Sequence, residues 1–199
     1  MHSNDNNLTW KLEKEQHVIQ DEWIDFRKNS YILPDGQTIG PVYNFSKHSF
    51  SLVVATDTEG KFICVRQYRH GIDAVTTEFP AGGIEYSKKK TPYITKDNII
   101  ATEEEAFAAA KRELIEETGY SSDNWKHLMT IPSNATISNS NVHIYAATDC
   151  KLVAKQELDA TEFLNVLLID ETQLKEIIQS GDFKQALHVL AYYLFKNAT

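Results

Sequence analysis

Apolar and polar positions alternate along this chain in a way that predicts strands on both sides of one long helix. Ser51-Leu52-Val53-Val54-Ala55-Thr56 and Lys61-Phe62-Ile63-Cys64-Val65-Arg66 are short apolar runs separated by Asp57-Thr58-Glu59-Gly60, the signature of a hairpin. Residues 75–79, 126–131, 142–148 and 163–169 predict further strands. The N-terminal stretch from Leu8 to about Asn44 predicts a strand-rich meander: residues 10–19, 22–30, then Tyr31-Ile32-Leu33 and a turn at Pro34-Asp35-Gly36. Helical spacing takes over near Glu103, where Thr102 and Glu105 have the form of a capping box, and Gly119 supplies the stop. Asp170 predicts a helix through Ile178. Asp182 predicts another to about Phe195, packing through Phe183, Ala186, Leu187, Leu190 and Leu194. The fold class is α/β with a mixed sheet and a β-rich N-terminal segment.

The long helix ends in Arg112-Glu113-Leu114-Ile115-Glu116-Glu117-Thr118-Gly119-Tyr120. Glu113, Glu116 and Glu117 stand at i, i+3 and i+4, within about a 100° arc of one helix face. Like charges stacked there cost helix stability. Two readings remain open on spacing alone: a solvated acidic face, or oxygen ligands for a hard cation such as Mg2+ or Mn2+. Phe107, Leu114 and Ile115 are expected on the opposite side, packed on the sheet. Arg112, four residues before Glu116, is placed to pair with it and orient the carboxylate. Before the helix, Glu78-Phe79-Pro80-Ala81-Gly82-Gly83 predicts a short strand entering a proline-glycine turn, where a bare backbone carbonyl can face the acids. Without metal, three close carboxylates are expected to keep one another partly protonated.

Composition narrows the classes. A chain of 199 residues suffices for one well-buried domain with a small N-terminal appendage. A net charge of −8 argues against nucleic-acid binding, and no apolar run approaches a membrane span. The polar start, Met1 to Asn7, lacks the core of a signal peptide. Cys64 and Cys150 lie in apolar strand-like surroundings and read as buried thiols, which points to a reducing, cytoplasmic setting. His70, His143 and His188 share no metal spacing, and His143 reads as a core histidine.

The stretch from Gly82 to Tyr120 resembles a Nudix box, whose ending R-E-x-x-E-E-x-G is matched in full, with Glu104 eight residues before Arg112 as the pattern also has it. Glu78-Phe79-Pro80-Ala81-Gly82 and Arg66-Gln67-Tyr68-Arg69 are similar to the branch of ADP-ribose and nucleoside-diphosphate-sugar pyrophosphatases. The likeness extends loosely from about Trp23 to the C-terminus, but only the box is specific. It implies an α/β/α sandwich and Mg2+-dependent (or Mn2+-dependent) hydrolysis of a nucleoside diphosphate linked to another moiety, such as ADP-ribose or a nucleotide-sugar. Under it, Glu113, Glu116, Glu117 and Ala81 hold metal, and Glu113, Glu116 and Arg112 serve catalysis. Arg66 and Arg69 are candidates for substrate phosphate, since arginine takes phosphate bidentately; Arg69 matches a substrate-contacting position in similar enzymes. In such enzymes the N-terminal segment, here 1–44, pairs with a second subunit, so a homodimer is expected, with the Nudix domain over 45–199. Trp23 or Phe26 of that segment is a candidate for stacking on a nucleobase.

This chain departs from the pattern twice. About sixteen residues, 86–101, are inserted inside the box, with Lys88, Lys89, Lys90 and Lys96 among them; the length suits a lid, or a plain surface loop. Further on, the loop Ser133-Asn134-Ala135-Thr136-Ile137-Ser138-Asn139-Ser140-Asn141 holds no carboxylate, and Ser140 stands where the family carries a catalytic glutamate. A serine hydroxyl binds phosphate or ribose but is no general base near neutral pH. Glu162, near which similar chains carry an acid, is the remaining candidate base. Two alternatives stay open: a hydrolase of dinucleotides, and a non-catalytic Nudix-like module that only binds a nucleotide.

Overall fold

The computed structural model describes residues 8–86, 93–97 and 99–198. Its larger unit comprises Ser49–Glu85, Ala101–Ile131 and the chain from Asn141 onward. There, β4 (Phe50–Asp57) pairs in parallel with β10 (Asn141–Leu152) and antiparallel with β5 (Phe62–Arg69) and the three-residue β7 (Ala81–Gly83). β11 (Leu164–Ile169) and β6 (Ala74–Glu78) add to β5; β8 (Tyr120–Ser121) and β9 (Asn124–Pro132) add to β10. The sheet is therefore mixed.

β4 is an unbroken apolar run because helices cover the sheet on both faces, which leaves no strand position at its centre facing water. Leu52 and Val54 join Phe62, Cys64, Ile144 and Ala146 in a core closed by Leu174 of α2 (Glu171–Ser180) and by Ala191, Tyr192 and Phe195 of α3 (Ala186–Ala198). Phe62 meets the rings of Tyr192 and Phe195 edge-on at 5.9 and 5.7 Å, contacts each worth about 1 kcal/mol beyond burial. The alternate positions Ser51, Val53 and Ala55 face α1 (Glu103–Thr118), where the Ser51 hydroxyl donates to the Ala106 carbonyl at 2.6 Å. This is the α/β/α sandwich that the resemblance implies.

α1 begins with the capping box of Thr102 and Glu105 and ends at Gly119, in left-handed geometry at φ 76°. A Cβ on Gly119 would lie 2.3 Å from the Ala154 carbonyl oxygen, so only glycine fits. Two expectations about helix faces need correction. α1 buries Ala106, Ala109, Ala110 and Leu114 together with Glu113 and Glu117, so two acids lie on the packed face and not opposite it. Alanines at the N-terminal half bring the helix close to the sheet, and that closeness carries the acids inward. α3 starts at Ala186, not after an Asp182 cap. The N–H groups of Asp182 and Phe183 donate to the Ile177 carbonyl and are spent closing α2 behind the left-handed Gly181. The deeply buried stripe of α3 is accordingly His188, Ala191, Tyr192 and Phe195, and Ala186 is exposed.

The second unit gathers the described residues through His48 with the described parts of 86–100 and Pro132–Ser140. It is thus not one stretch ending near residue 44. β1 (Lys11–Gln20), β2 (Asp25–Ile32) and β3 (Thr38–Ser46) form its antiparallel sheet, the last strand emerging from the part read only as meander. Asp25, Arg27 and Asn29 alternate on one buried face of β2, and the Arg27 guanidinium donates to Asp25 at 2.5 Å. Among the described residues no helix is long and apolar enough to cross a membrane.

Candidate active site

The turn after β6 is built to meet α1. The Val53 N–H donates to the Pro80 carbonyl at 2.9 Å and the Ile84 N–H to the Ser49 carbonyl at 3.1 Å, bracketing the Ser51–Gly82 pair. Antiparallel alternation then turns both the N–H and the C=O of Ala81 away from β4. That N–H donates to Glu117 Oε2 at 3.0 Å, so the edge carrying the Ala81 carbonyl is turned to the acids. Gly82 completes the approach: a Cβ there would lie 2.0–2.2 Å from the three carboxyl atoms of Glu113. The carboxyl of Glu113 occupies the space that any other residue at 82 would fill.

Burial sets the electrostatics of the cluster. Removal from water is the largest influence on Glu113, raising its pKa to about 7 against the opposing pull of Arg112; Glu116 and Glu162 push the same way as burial. Glu117 is raised to about 8, again first by burial and then by the charge of Glu113, with the Ala81 N–H opposing. Mutual repulsion, the cause expected from sequence, is therefore secondary to desolvation. Arg112 binds Glu116 Oε2 through Nη1 at 2.6 Å, and through Nη2 it binds Glu113 Oε1 at 2.6 Å and the Gly83 carbonyl at 2.9 Å. With oxygens drawn to Arg112 and to the Ala81 N–H, no three His, Cys, Asp or Glu side chains among the described residues converge on one point suited to a metal ion. The donor set nonetheless fits a hard divalent cation: all oxygen, mostly buried, and holding more negative charge than its one arginine offsets.

A pH dependence follows from these shifts. Both carboxyls bind protons more tightly in the folded chain than at their ordinary value of 4.5. Their contribution to stability is complete below that value and is lost as pH rises through about 7 and about 8, by up to ~1.4 kcal/mol per pH unit for each group. The melting temperature of chelator-treated protein is expected to fall between about pH 5.5 and about pH 8.5, and the rise produced by Mg2+ to be larger at the upper end. Calorimetric melts with and without Mg2+ check both. An Mg2+ effect independent of pH would mean that metal does not displace these protons.

Arg66 and Arg69 sit three residues apart in an unbroken ladder with β6, so their side chains leave opposite faces of the strand. Arg69 is the one turned to the acids: it binds Glu78 at 2.6 and 2.9 Å and lies within electrostatic reach of Glu117 and Glu162. Arg66 is exposed and its neighbours across the ladders are Thr77 and Asn165. Glu162 closes a tight turn, its N–H donating to the Asp159 carbonyl at 2.9 Å. The segment before it is tied to the end of α1, because the Glu157 N–H donates to the Glu116 carbonyl and the Gln156 side chain to that of Glu117, at 2.9 and 2.7 Å. These bonds satisfy helix-end carbonyls and at the same time carry Glu162 toward Glu113 and Glu117, on which its charge acts.

The other expected residues belong to the N-terminal unit. Trp23 is exposed in the turn between β1 and β2, its N–H donating to Asp21. Ser140 is 1 % exposed, and its hydroxyl lies 2.7 Å from that of Ser138 and 3.1 Å from that of Ser133. The hydroxyl expected to bind substrate is thus buried and engaged in holding its own loop together. Of the insert, residues 87–92, with Lys88, Lys89 and Lys90, lie outside the described residues; Lys96 is 3.8 Å from Glu15. His143 is a satisfied core histidine, its Nδ1 at 3.1 Å from the Thr130 hydroxyl. Cys64 and Cys150 are buried free thiols.

Sequence reasoning gave Glu78 no role of its own, reading it only as part of a strand and of the stretch Glu78-Phe79-Pro80-Ala81-Gly82. It is fully buried and holds Arg69. The one signal available was a carboxylate late in a strand-forming run, Val75-Thr76-Thr77-Glu78-Phe79, whose burial would require a partner that the sequence alone does not name.

Helices on both faces of a mixed sheet, with the acids of one helix gathered beneath a glycine turn, place the candidate site in an α/β/α sandwich. Residues 47–186 match the family model of the NUDIX domain, and the chain belongs to the Nudix family as a Nudix-type hydrolase. It is 29 % identical over 192 residues to the ADP-ribose pyrophosphatase of Bacillus subtilis (strain 168), covering 94 % of this chain and 93 % of that protein. It is 28 % identical over 174 residues to the methanol dehydrogenase activator of Bacillus methanolicus, covering 85 % and 81 %. A crystal structure of an ADP compounds hydrolase superposes with a TM-score of 0.77 at 17 % identity, covering 96 % of this chain and 94 % of that one, which is a likeness of fold.

Proposed function

We propose that this hydrolase cleaves the pyrophosphate bond of a nucleoside diphosphate joined to a second moiety, with ADP-ribose or a nucleotide-sugar as the substrate and Mg2+ (or Mn2+) as the cation. The observation that carries the reading is the buried carboxylate pair Glu113 and Glu117 under Gly82, an oxygen cluster that suits a hard cation and otherwise takes up protons. The activity of the Bacillus subtilis relative supports the choice of substrate.

Glu113, Glu116, Glu117 and the Ala81 carbonyl hold the cation in this proposal. When bound, a divalent cation supplies Lewis-acid polarisation of a phosphoryl oxygen and neutralises charge on the leaving phosphate. Arg112 positions Glu113 and Glu116 through its two charge-assisted bonds. Arg69 binds a phosphate oxygen, and Glu162 accepts the proton of the attacking water, the loop at Ser140 having no base to offer. Arg66, on the opposite strand face, and Ser140 take no part. Trp23 offers an exposed ring for stacking on a nucleobase. The N-terminal unit, with Trp10, Leu12, Val18 and Ile19 exposed, serves a homodimer, and the buried free thiols suit a reducing, cytoplasmic setting.

The test is phosphate release, coupled to a phosphatase, across ADP-ribose, ADP-glucose, GDP-mannose, UDP-glucose, NADH and diadenosine polyphosphates, each with and without Mg2+. Metal-dependent turnover concentrated on ADP-ribose or a nucleotide-sugar is expected. Turnover of the dinucleotides alone would move the substrate to that class. No turnover of any compound would overturn the reading. Light scattering on the same preparation reads the dimer.

A further inference from the structure

Glu78 and Arg69 form an ion pair that strand geometry alone would not bring together. In the β5–β6 ladder the residue opposite Glu78 is Val65, whereas Arg69 faces Ala74. The two charged residues are thus offset by four positions along the strands, on the order of 13 Å at about 3.3 Å per residue. They meet only because the arginine stem lies back along the strand, away from the exposed hairpin end and toward the Pro80–Gly82 turn. An arginine left to itself at a strand end extends into water.

Glu78 supplies the reason for that conformation. Its side chain is 0 % exposed, so its charge must be matched within the protein. Oε1 accepts from Arg69 Nε at 2.9 Å and Oε2 from Nη2 at 2.6 Å, a side-on fork. Two side chains at the start of α3 back it. The Phe79 N–H donates to His188 Nδ1 at 3.1 Å, which leaves the imidazole proton on Nε2, 3.8 Å from Glu78 Oε2. The Gln185 amide donates to Glu78 Oε1 at 3.5 Å. The fork uses one edge of the guanidinium. Among the described residues Nη1 and the second hydrogen of Nη2, on the other edge, take no further partner, and they form a pair of donors spaced for two phosphate oxygens.

We propose that Glu78 is a positioning residue: it holds the Arg69 guanidinium at the acidic cluster with its outer edge presented to a phosphate of the substrate. The inference rests on the reading above that Arg69 binds that phosphate. Its effect is preorganisation, since the ordering of a long side chain is completed before substrate arrives. The loss on breaking it falls on binding more than on the chemical step.

The test is a double-mutant cycle of wild type, Glu78→Gln, Arg69→Ala and the double variant. Each is read as Kd for ADP with Mg2+ by calorimetry, as KM and kcat for ADP-ribose, and as melting temperature. Glu78→Gln is expected to raise Kd and KM by about 10-fold with kcat changed by less than about 3-fold, and Arg69→Ala to raise them at least as much. The double variant is expected to match Arg69→Ala, because Glu78 has nothing left to hold. An undiminished Glu78→Gln effect in the Arg69→Ala background would overturn the inference, marking Glu78 as structural only. Unchanged Kd and KM in Arg69→Ala would overturn it by removing Arg69 from the substrate. ADP binding without turnover of ADP-ribose would instead count against the substrate reading, and the Kd cycle would still decide the role of Glu78. Arg69→Lys covers the case in which Glu78→Gln fails to fold. Lysine keeps the charge but cannot make the fork, so a Kd loss close to that of Arg69→Ala supports the inference and a wild-type Kd refutes it.

Discussion

Glu116→Gln is expected to lower kcat/KM by at least about 10³-fold, close to 4 kcal/mol of transition-state stabilisation, while the fold survives. Glu116 lies outside the packed face of α1, with its side chain 37 % exposed, and among the described residues that side chain bonds to Arg112. Such a partly exposed i, i+4 pair contributes roughly 0.5 kcal/mol, and Arg112 keeps Glu113 and the Gly83 carbonyl as partners after the change. The variant also relieves repulsion with Glu113, so its melting temperature without metal should equal or slightly exceed that of the wild type. With metal the order should reverse, because an amide oxygen is a far weaker ligand for Mg2+ than a carboxylate. Steady-state turnover over an Mg2+ titration, with parallel melts, separates these effects. Wild-type turnover at any Mg2+ concentration would remove Glu116 from the site.

Gly82→Ala carries the second large effect, and it should cost activity without a matching cost in stability. The new Cβ overlaps the carboxyl of Glu113 at 2.0–2.2 Å, so that carboxyl must leave its place. Because it is the far end of a flexible side chain, the displacement itself should cost no more than about 1–2 kcal/mol of stability. Activity should fall by about 10²-fold, since a ligand moved by an ångström or more no longer meets the cation or the oxygens that share it. Gly83→Ala is the internal comparison: a Cβ there meets nothing within 4 Å, and little change is expected in either quantity. Equal loss in the two variants would mean that the turn needs glycine for its backbone and not for the approach of Glu113.

The Gly82 prediction depends on a feature that periodicity did not reveal. Reading α1 as an amphipathic helix places its acids opposite its apolar residues, because periodicity treats charge as a mark of the solvent side. The helix instead turns Glu113 and Glu117 toward the sheet, where the alanines and Gly82 leave room for them. Burial there raises the proton affinity of both carboxyls, the property that makes the cluster a candidate for metal. Asp182 fails as a helix cap for a related reason: its carboxylate accepts from the Ser180 hydroxyl, and the Lys184 N–H that a cap would take donates to the Thr76 hydroxyl, a competition visible only in the tertiary structure.

The sequence by itself determined the elements whose causes are local. The capping box at Thr102, the stop at Gly119, the apolar run of β4 and the spacing of Glu113, Glu116 and Glu117 each follow from residues within a few positions of one another. Tertiary structure alone decided which side chains meet across the chain: Gly82 under Glu113, the Ala81 N–H on Glu117, Glu78 on Arg69, and Ser140 closed within its own loop. Helix and strand periods fix the direction of a side chain relative to its own element. The partner it meets depends on how elements stack, and that is set by the packing of many residues at once.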